Sequence, residues 1–244
     1  HVDWYLDGVT AYNEILAGDA LGAGGMAIWR LGSEDPSIWA VIGKRGIDAP
    51  VQNLSVIPAG YDPEFQPKQA TGELLELRAR PTEGYRTIRL DPVTRLVNDE
   101  DVTRYATPYI IRRFGESAHK IALTFDDGPD GRWTSSILDT LKSRNAPATF
   151  FVIGQNAEAH IPLVRREFNE GHEIGNHTFT HPNLAFVSDR VVKLQLDATQ
   201  RLLEAILGRR TACFRAPYFG DAEPTTPDER APIGTATDRG YISV

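Results

Sequence analysis

The spacing of hydrophobic positions changes along this chain, and the change divides it. From residue 120 onward, short runs of β-branched and aromatic residues alternate with longer segments of helical period. The runs 121–125, 148–153, 172–177, 212–215 and 241–244 are too short for helices and predict strands. Between them, 134–143 carries Ile137, Leu138 and Leu141 on one face, and 157–170 carries Ile161, Val164 and Phe168 before Gly171. A longer segment, 188–207, places Val192, Leu196, Leu203 and Leu207 on one stripe, with Ser188 or Asp189 as its cap and Gly208 as its stop. All three predict amphipathic helices, the last two closed by glycines that tolerate the left-handed turn at a helix end. Strand and helix in regular alternation predict an α/β fold with a parallel sheet or barrel, and chemistry at the C-terminal ends of its strands.

Upstream the rhythm differs. Residues 74–79 and 85–90 alternate around Pro81-Thr82-Glu83-Gly84, and Asp91-Pro92 marks the next turn, so 46–118 predicts a small antiparallel β region. Residues 1–45 return to βα character, with Trp4-Tyr5-Leu6 as a strand, 9–16 as a helix and 26–30 as a second strand. Residues 222–232, rich in Pro, Thr and acids, predict a loop.

Composition narrows the function classes. At 244 residues, against ~150 for an average domain, the chain has room for one to two domains and a sizeable core. The 26 Lys and Arg against 33 Asp and Glu give a net charge of −7, which leaves no basic field for a phosphate backbone and excludes nucleic acid as the expected partner. No apolar stretch approaches the ~20 residues that span a bilayer. The chain opens on His1 without a charged start, apolar run and cleavage site, so it reads as a piece of something longer. Cys213 is the single cysteine, which excludes an internal disulfide.

Three motifs carry candidate chemistry. Thr124-Phe125-Asp126-Asp127-Gly128-Pro129-Asp130 sets two adjacent carboxylates at the end of a predicted strand. Such acids repel one another unless a cation or an arginine balances them, which suits one as metal ligand and the other as general base; an acidic surface turn accounts for them equally well. Gly175-Asn176-His177-Thr178-Phe179-Thr180-His181-Pro182 spaces two imidazoles four residues apart, on one face if the segment is helical. Joined by a carboxylate from elsewhere, such a pair suits zinc and similar metals while leaving positions open for water and substrate. In Phe214-Arg215-Ala216-Pro217-Tyr218, Arg215 can keep a neighbouring carboxylate anionic, and Pro217 stiffens a turn that could aim the Tyr218 amide at a developing oxyanion. By itself Arg-x-Pro-Tyr is a weak signal, and an ordinary loop is the favoured reading. His1, His119, His160 and His172 lack such partners.

With these motifs in this order, and Ala148-Thr149-Phe150-Phe151-Val152 and Gly154 between them, residues 119–244 resemble the polysaccharide deacetylases of the NodB-homology fold. The resemblance implies a distorted (β/α) barrel that removes acetyl groups from an N-acetylated or O-acetylated polysaccharide or oligosaccharide with a bound divalent metal, zinc first among the choices. Carried over to matching positions, it implies Asp126 as catalytic base, Asp127, His177 and His181 as metal ligands, Arg215 holding Asp126, and the Tyr218 amide at the oxyanion. It further implies a general-acid histidine in a Leu-x-His motif behind an Asp-Trp motif. Neither follows the Arg-x-Pro-Tyr motif before Val244, which implies a domain truncated at its C-terminus and leaves a non-catalytic carbohydrate-binding or partner-binding module as the alternative.

Trp4-Tyr5-Leu6-Asp7 and Ala27-Ile28-Trp29-Arg30-Leu31-Gly32-Ser33-Glu34-Asp35 resemble the last strands of a chitinase-like family eighteen glycoside hydrolase, with Trp29 at the barrel floor; buried aromatics in a small α/β cap account for Trp4 and Trp29 about equally well. That family's acidic motif, Asp-x-x-Asp-x-Asp-x-Glu, is absent, so glycan hydrolysis through this part is only the second alternative. The expected organisation is a hydrolase-like remnant over 1–45, a β-rich linker over 46–118 and an incomplete deacetylase domain over 119–244. This order resembles bacterial fusions that continue into a membrane glycosyltransferase, which implies an extracytoplasmic or cell-surface setting and a membrane-attached parent.

Overall fold

In the computed structural model, all residues are described except 1–5, 30–33, 45, 61–62, 70 and 219–226. Along the chain run α1 (Gly8–Ala20), β1 (Ile42–Gly43), β2 (Gly46–Ile47), β3 (Val56–Ile57), β4 (Glu64–Gln66), β5 (Leu74–Ala79), β6 (Gly84–Leu90), β7 (Val97–Arg104) and β8 (Ile110–Phe114). There follow β9 (Thr124–Gly128), α2 (Thr134–Ser143), β10 (Thr149–Val152), α3 (Gly154–Ala159), α4 (Ile161–Asn169), β11 (Glu173–Asn176), α5 (Asp189–Leu207), β12 (Cys213–Phe214), α6 (Pro227–Thr237) and β13 (Ile242–Ser243). They form two units, one of residues 1–64 with 79–110 and the other of residues 65–78 with 111–244.

The first unit packs α1 and two 3-10 turns against the antiparallel sheet β3-β6-β7. Asp7 caps α1 by accepting from Thr10 N at 2.6 Å, and Val9, Tyr12 and Ile15 meet Ile38, Val41 and Leu54 in its core. At its polar centre the buried Arg86 pairs with Asp35 at 2.9 Å and Glu100 at 3.0 Å, and donates to Leu54 O at 2.6 Å and to Ser37 Oγ. Burial works against the Asp35 carboxylate, but hydrogen bonds from Gly8 and Ser37 and the Arg86 charge hold its pKa below the usual carboxylate range. This unit departs from a hydrolase-barrel remnant. Residues 26–29 form no strand, and Trp29 is 90% exposed, neither at a barrel floor nor in a cap core. Trp4, Tyr5 and Arg30 lie outside the described residues.

The expected linker is not one sheet. β6 pairs with β3 and β7, whereas β5 pairs with β13 through Ser243↔Leu75, in an eight-stranded sheet ordered β4-β8-β5-β13-β12-β11-β10-β9. The physical reason is burial: Leu77 is buried and its amide donates to Thr237 Oγ1 on α6 at 3.1 Å, partners that a hairpin with β6 would not supply.

In the second unit β9 to β13 run parallel, as βα repetition requires, so the fold is α/β. Among the described residues the sheet is open, with β9 and β4 at its edges rather than closed into a barrel. Phe150, Val152 and Ile174 bury one face against Leu138, Val164 and Leu203, and Phe214 and Tyr241 pack with Val192 and Leu196 in a second cluster. α5 ends at Gly208, whose φ of 71° is the left-handed conformation glycine adopts without a Cβ clash. The helix expected over 157–170 is two. Pro162 sits in the first turn of α4, where its missing N–H costs nothing, and the chain bends at His160. Residues 227–232, expected in a loop, are helical in α6 despite Pro232, because Ile233 and Ala236 are buried.

Candidate metal and deacetylase site

β9 begins three residues later than the hydrophobic run predicts. Ile121 is 89% exposed, and the ladder with β10 runs from Thr124↔Thr149 to Phe151↔Asp126, then skips to Val152↔Gly128. The skipped residue is Asp127, a bulge with φ 67°. On a regular strand adjacent side chains point to opposite faces; a bulge re-aims one of them. Asp126 thereby meets Arg215, and Asp127 meets the two histidines.

His177 continues the β11 ladder, its amide donating to Val152 O at 3.0 Å, and its ring is 3% exposed. Nδ1 lies 2.8 Å from Arg215 O, and since a carbonyl only accepts, Nδ1 carries the proton and Nε2 keeps its lone pair. Burial, the largest influence, lowers the His177 pKa despite that hydrogen bond, so the ring is neutral. His181 arrives by a turn, not by the helix the four-residue spacing suggested. Thr178 and His181 adopt φ of 67° and 58°, and His181 N donates to Thr178 Oγ1 at 3.1 Å. The turn is held from outside by Gln195 on α5, whose Oε1 accepts from Phe179 N and Thr180 N, each at 2.8 Å.

Asp127 Oδ1 stands 3.4 Å from His177 Nε2 and 3.1 Å from His181 Nε2, and ligand atoms of the three residues all lie within 4.8 Å of one another. One carboxylate oxygen and two imidazole nitrogens, one already set in its metal-binding tautomer by an outer hydrogen bond, form a donor set that fits a zinc-like cation. Beside it, Arg215 donates from Nη1 to Asp126 Oδ1 at 3.0 Å and to Thr124 Oγ1 at 3.0 Å. Its guanidinium lies 4.5 Å from the Phe151 ring centroid, and Nε reaches Val244 O at 3.3 Å. Tyr218, φ 67° and 69% exposed, sets its ring 4.8 Å from that of His181.

The structure thus gathers all six expected residues. Residues 115–234 match the polysaccharide deacetylase family. The chain is 48% identical over 99 residues to a peptidoglycan-N-acetylglucosamine deacetylase of Bacillus cereus, covering 41% of this chain and 36% of that protein. It is 42% identical over 115 residues to a chitooligosaccharide deacetylase of Sinorhizobium fredii, covering 44% and 51%. Among solved structures, a family 4 carbohydrate esterase from Streptomyces lividans in complex with acetate is similar at 31% identity and TM-score 0.45, over 51% of this chain and 60% of that one. The chain spans about a third to a half of the length of these curated relatives.

Sequence reasoning missed the residues behind the site. Asn176 Nδ2 donates to Leu196 O at 3.0 Å and to the Tyr241 hydroxyl at 2.8 Å, and the Tyr241 hydroxyl donates to Gln200 Oε1. These polar groups, buried at the C-terminal end of β11, fix the strand on which His177 rides. No spacing rule singles them out, because their partners are distant in sequence.

Proposed function

We propose that this protein is a metal-dependent hydrolase that removes acetyl groups from an acetylated polysaccharide or oligosaccharide. The observation that carries the reading is the convergence of Asp127, His177 and His181 beside an Asp126 carboxylate gripped by Arg215. Asp127, His177 and His181 would hold a divalent cation, zinc by preference for this donor set, which would supply Lewis acidity toward the acetyl carbonyl and toward water. Asp126 takes the proton of the attacking water, with Arg215 keeping the carboxylate ionised and aimed. The backbone amide of Tyr218 donates to the oxygen that gains negative charge, and as the tetrahedral adduct collapses the leaving nitrogen or oxygen takes up the proton that Asp126 accepted, which frees acetate and an amine or hydroxyl. The relatives' names, peptidoglycan N-acetylglucosamine and chitooligosaccharide deacetylase, support an N-acetylated glycan as substrate. The same proposal sets the protein outside the cytoplasm or at the cell surface, where such polymers lie.

The test is acetate release from N-acetylated chitooligosaccharides and from peptidoglycan, with zinc and with chelator. Zinc-dependent acetate release is the expected outcome. A protein that binds zinc and glycan yet releases no acetate is a binding module, and the catalytic reading falls.

A further inference from the structure

Asp127 is an unusual ligand in mechanical terms. It sits in a bulge on an edge strand, in the left-handed region that a residue with a Cβ adopts only at a cost, and its side chain is 66% exposed. Such a conformation persists only when its surroundings over-determine it. The surroundings here are the first residues of α3 and the residue before it.

Ile153 N donates to Gly128 O at 3.0 Å, which ties α3 to the carboxylate loop. Gly154 N donates to Thr178 O at 2.9 Å and Gln155 N to Phe179 O at 3.0 Å, which ties it to the histidine loop. The approach is close enough that a Cβ on Gly154 would lie 2.3 Å from Phe179 Cδ2. One side chain completes the clamp: Asn156 Nδ2 donates to the carbonyl of Asp127 at 2.7 Å. The Asn156 carbonyl in turn accepts from His160 Nδ1 at 3.1 Å, at the bend between α3 and α4.

We propose that Asn156 is a positioning residue for the metal ligand Asp127. By holding the Asp127 carbonyl it fixes the bulge, and the bulge aims the carboxylate at the histidine pair. The inference rests on the metal-site reading above but concerns a residue outside the ligand set. Losing an outer-shell hydrogen bond of this kind typically weakens metal binding ~10-fold to 100-fold.

The test is zinc titration of the full chain against a competing chromophoric chelator, alongside thermal melting of the metal-free protein. Asn156→Ala, and Asn156→Leu, which keeps bulk but removes the donor, are expected to weaken zinc binding at least tenfold while the metal-free melting temperature stays near wild type. Gln155→Ala, on the same turn but tied through its backbone amide, is expected to bind zinc as wild type does. Wild-type zinc affinity in both Asn156 variants overturns the proposal, as does a metal-free protein destabilised in both, which would make the role structural. If His177→Ala abolishes binding while the Asn156 variants do not change it, only this inference falls. If wild type binds no zinc, or binds it as well after His177→Ala, the metal-site reading falls with it.

Discussion

Asp126 and Asp127 are neighbours with different partners, and the bulge at Asp127 is what separates the two. Asp126→Asn keeps the shape and leaves Asp127, His177 and His181 untouched, but an amide cannot take a proton from water. The variant is expected to retain bound zinc while acetate release falls by ~10²-fold to 10⁴-fold, the range a general base contributes; metal content and released acetate, measured on one preparation, check it. Retained turnover would remove Asp126 from the role of base. At this scale the sequence was informative about identity. Adjacent acids, paired imidazoles and Arg-Pro-Tyr each stood at the end of a predicted strand, and the structure brings all six residues together. How they meet was not legible. His177 and His181 converge through left-handed turns rather than a helix face, because Gln195 and Thr178 bind that loop's amides, and such contacts leave no periodic trace.

Single elements followed local pattern where their partners were local. α2 runs over the predicted residues, and α5 begins after Ser188 and stops at Gly208, as its apolar stripe and glycine stop require. β5 and β6 illustrate the opposite case. Both alternate as strands should, yet they join different sheets, since alternation states that one face is buried and not against what. β6 is exposed to a single change at Arg86, which is buried between Asp35 and Glu100. Arg86→Ala strands two carboxylates in a poorly solvated site and is expected to cost about 3–5 kcal/mol, the range for breaking a buried pair, in denaturant unfolding of the first unit. A loss below about 1 kcal/mol would show that water reaches the pair.

For the molecule as a whole, one group outside the site shapes the pH response. Glu167 on α4 is fully buried, and both of its carboxylate oxygens lack a hydrogen-bond partner among the described residues. Burial pushes its pKa up to about 8. Because the folded value is raised, the stability linked to Glu167 is fully present below its ordinary value of 4.5 and is lost as pH rises through about 8. The upper bound on that loss is about 5 kcal/mol. Glu167→Met is therefore expected to match wild type in stability near pH 4 and to exceed it by several kcal/mol at pH 8, read from urea unfolding at both values; equal slopes with pH would mean the carboxylate finds solvent. The order of the βα units, the helix stops and the kinds of side chain gathered at the candidate site were determined by the sequence alone, because spacing and residue type act locally. The tertiary structure decided the split of the β region between two sheets, the exposure of Trp29, the helical 227–232 segment and the Asp127 bulge. Each of these depends on which distant groups satisfy a buried face or a backbone amide, and that is settled only when the chain packs.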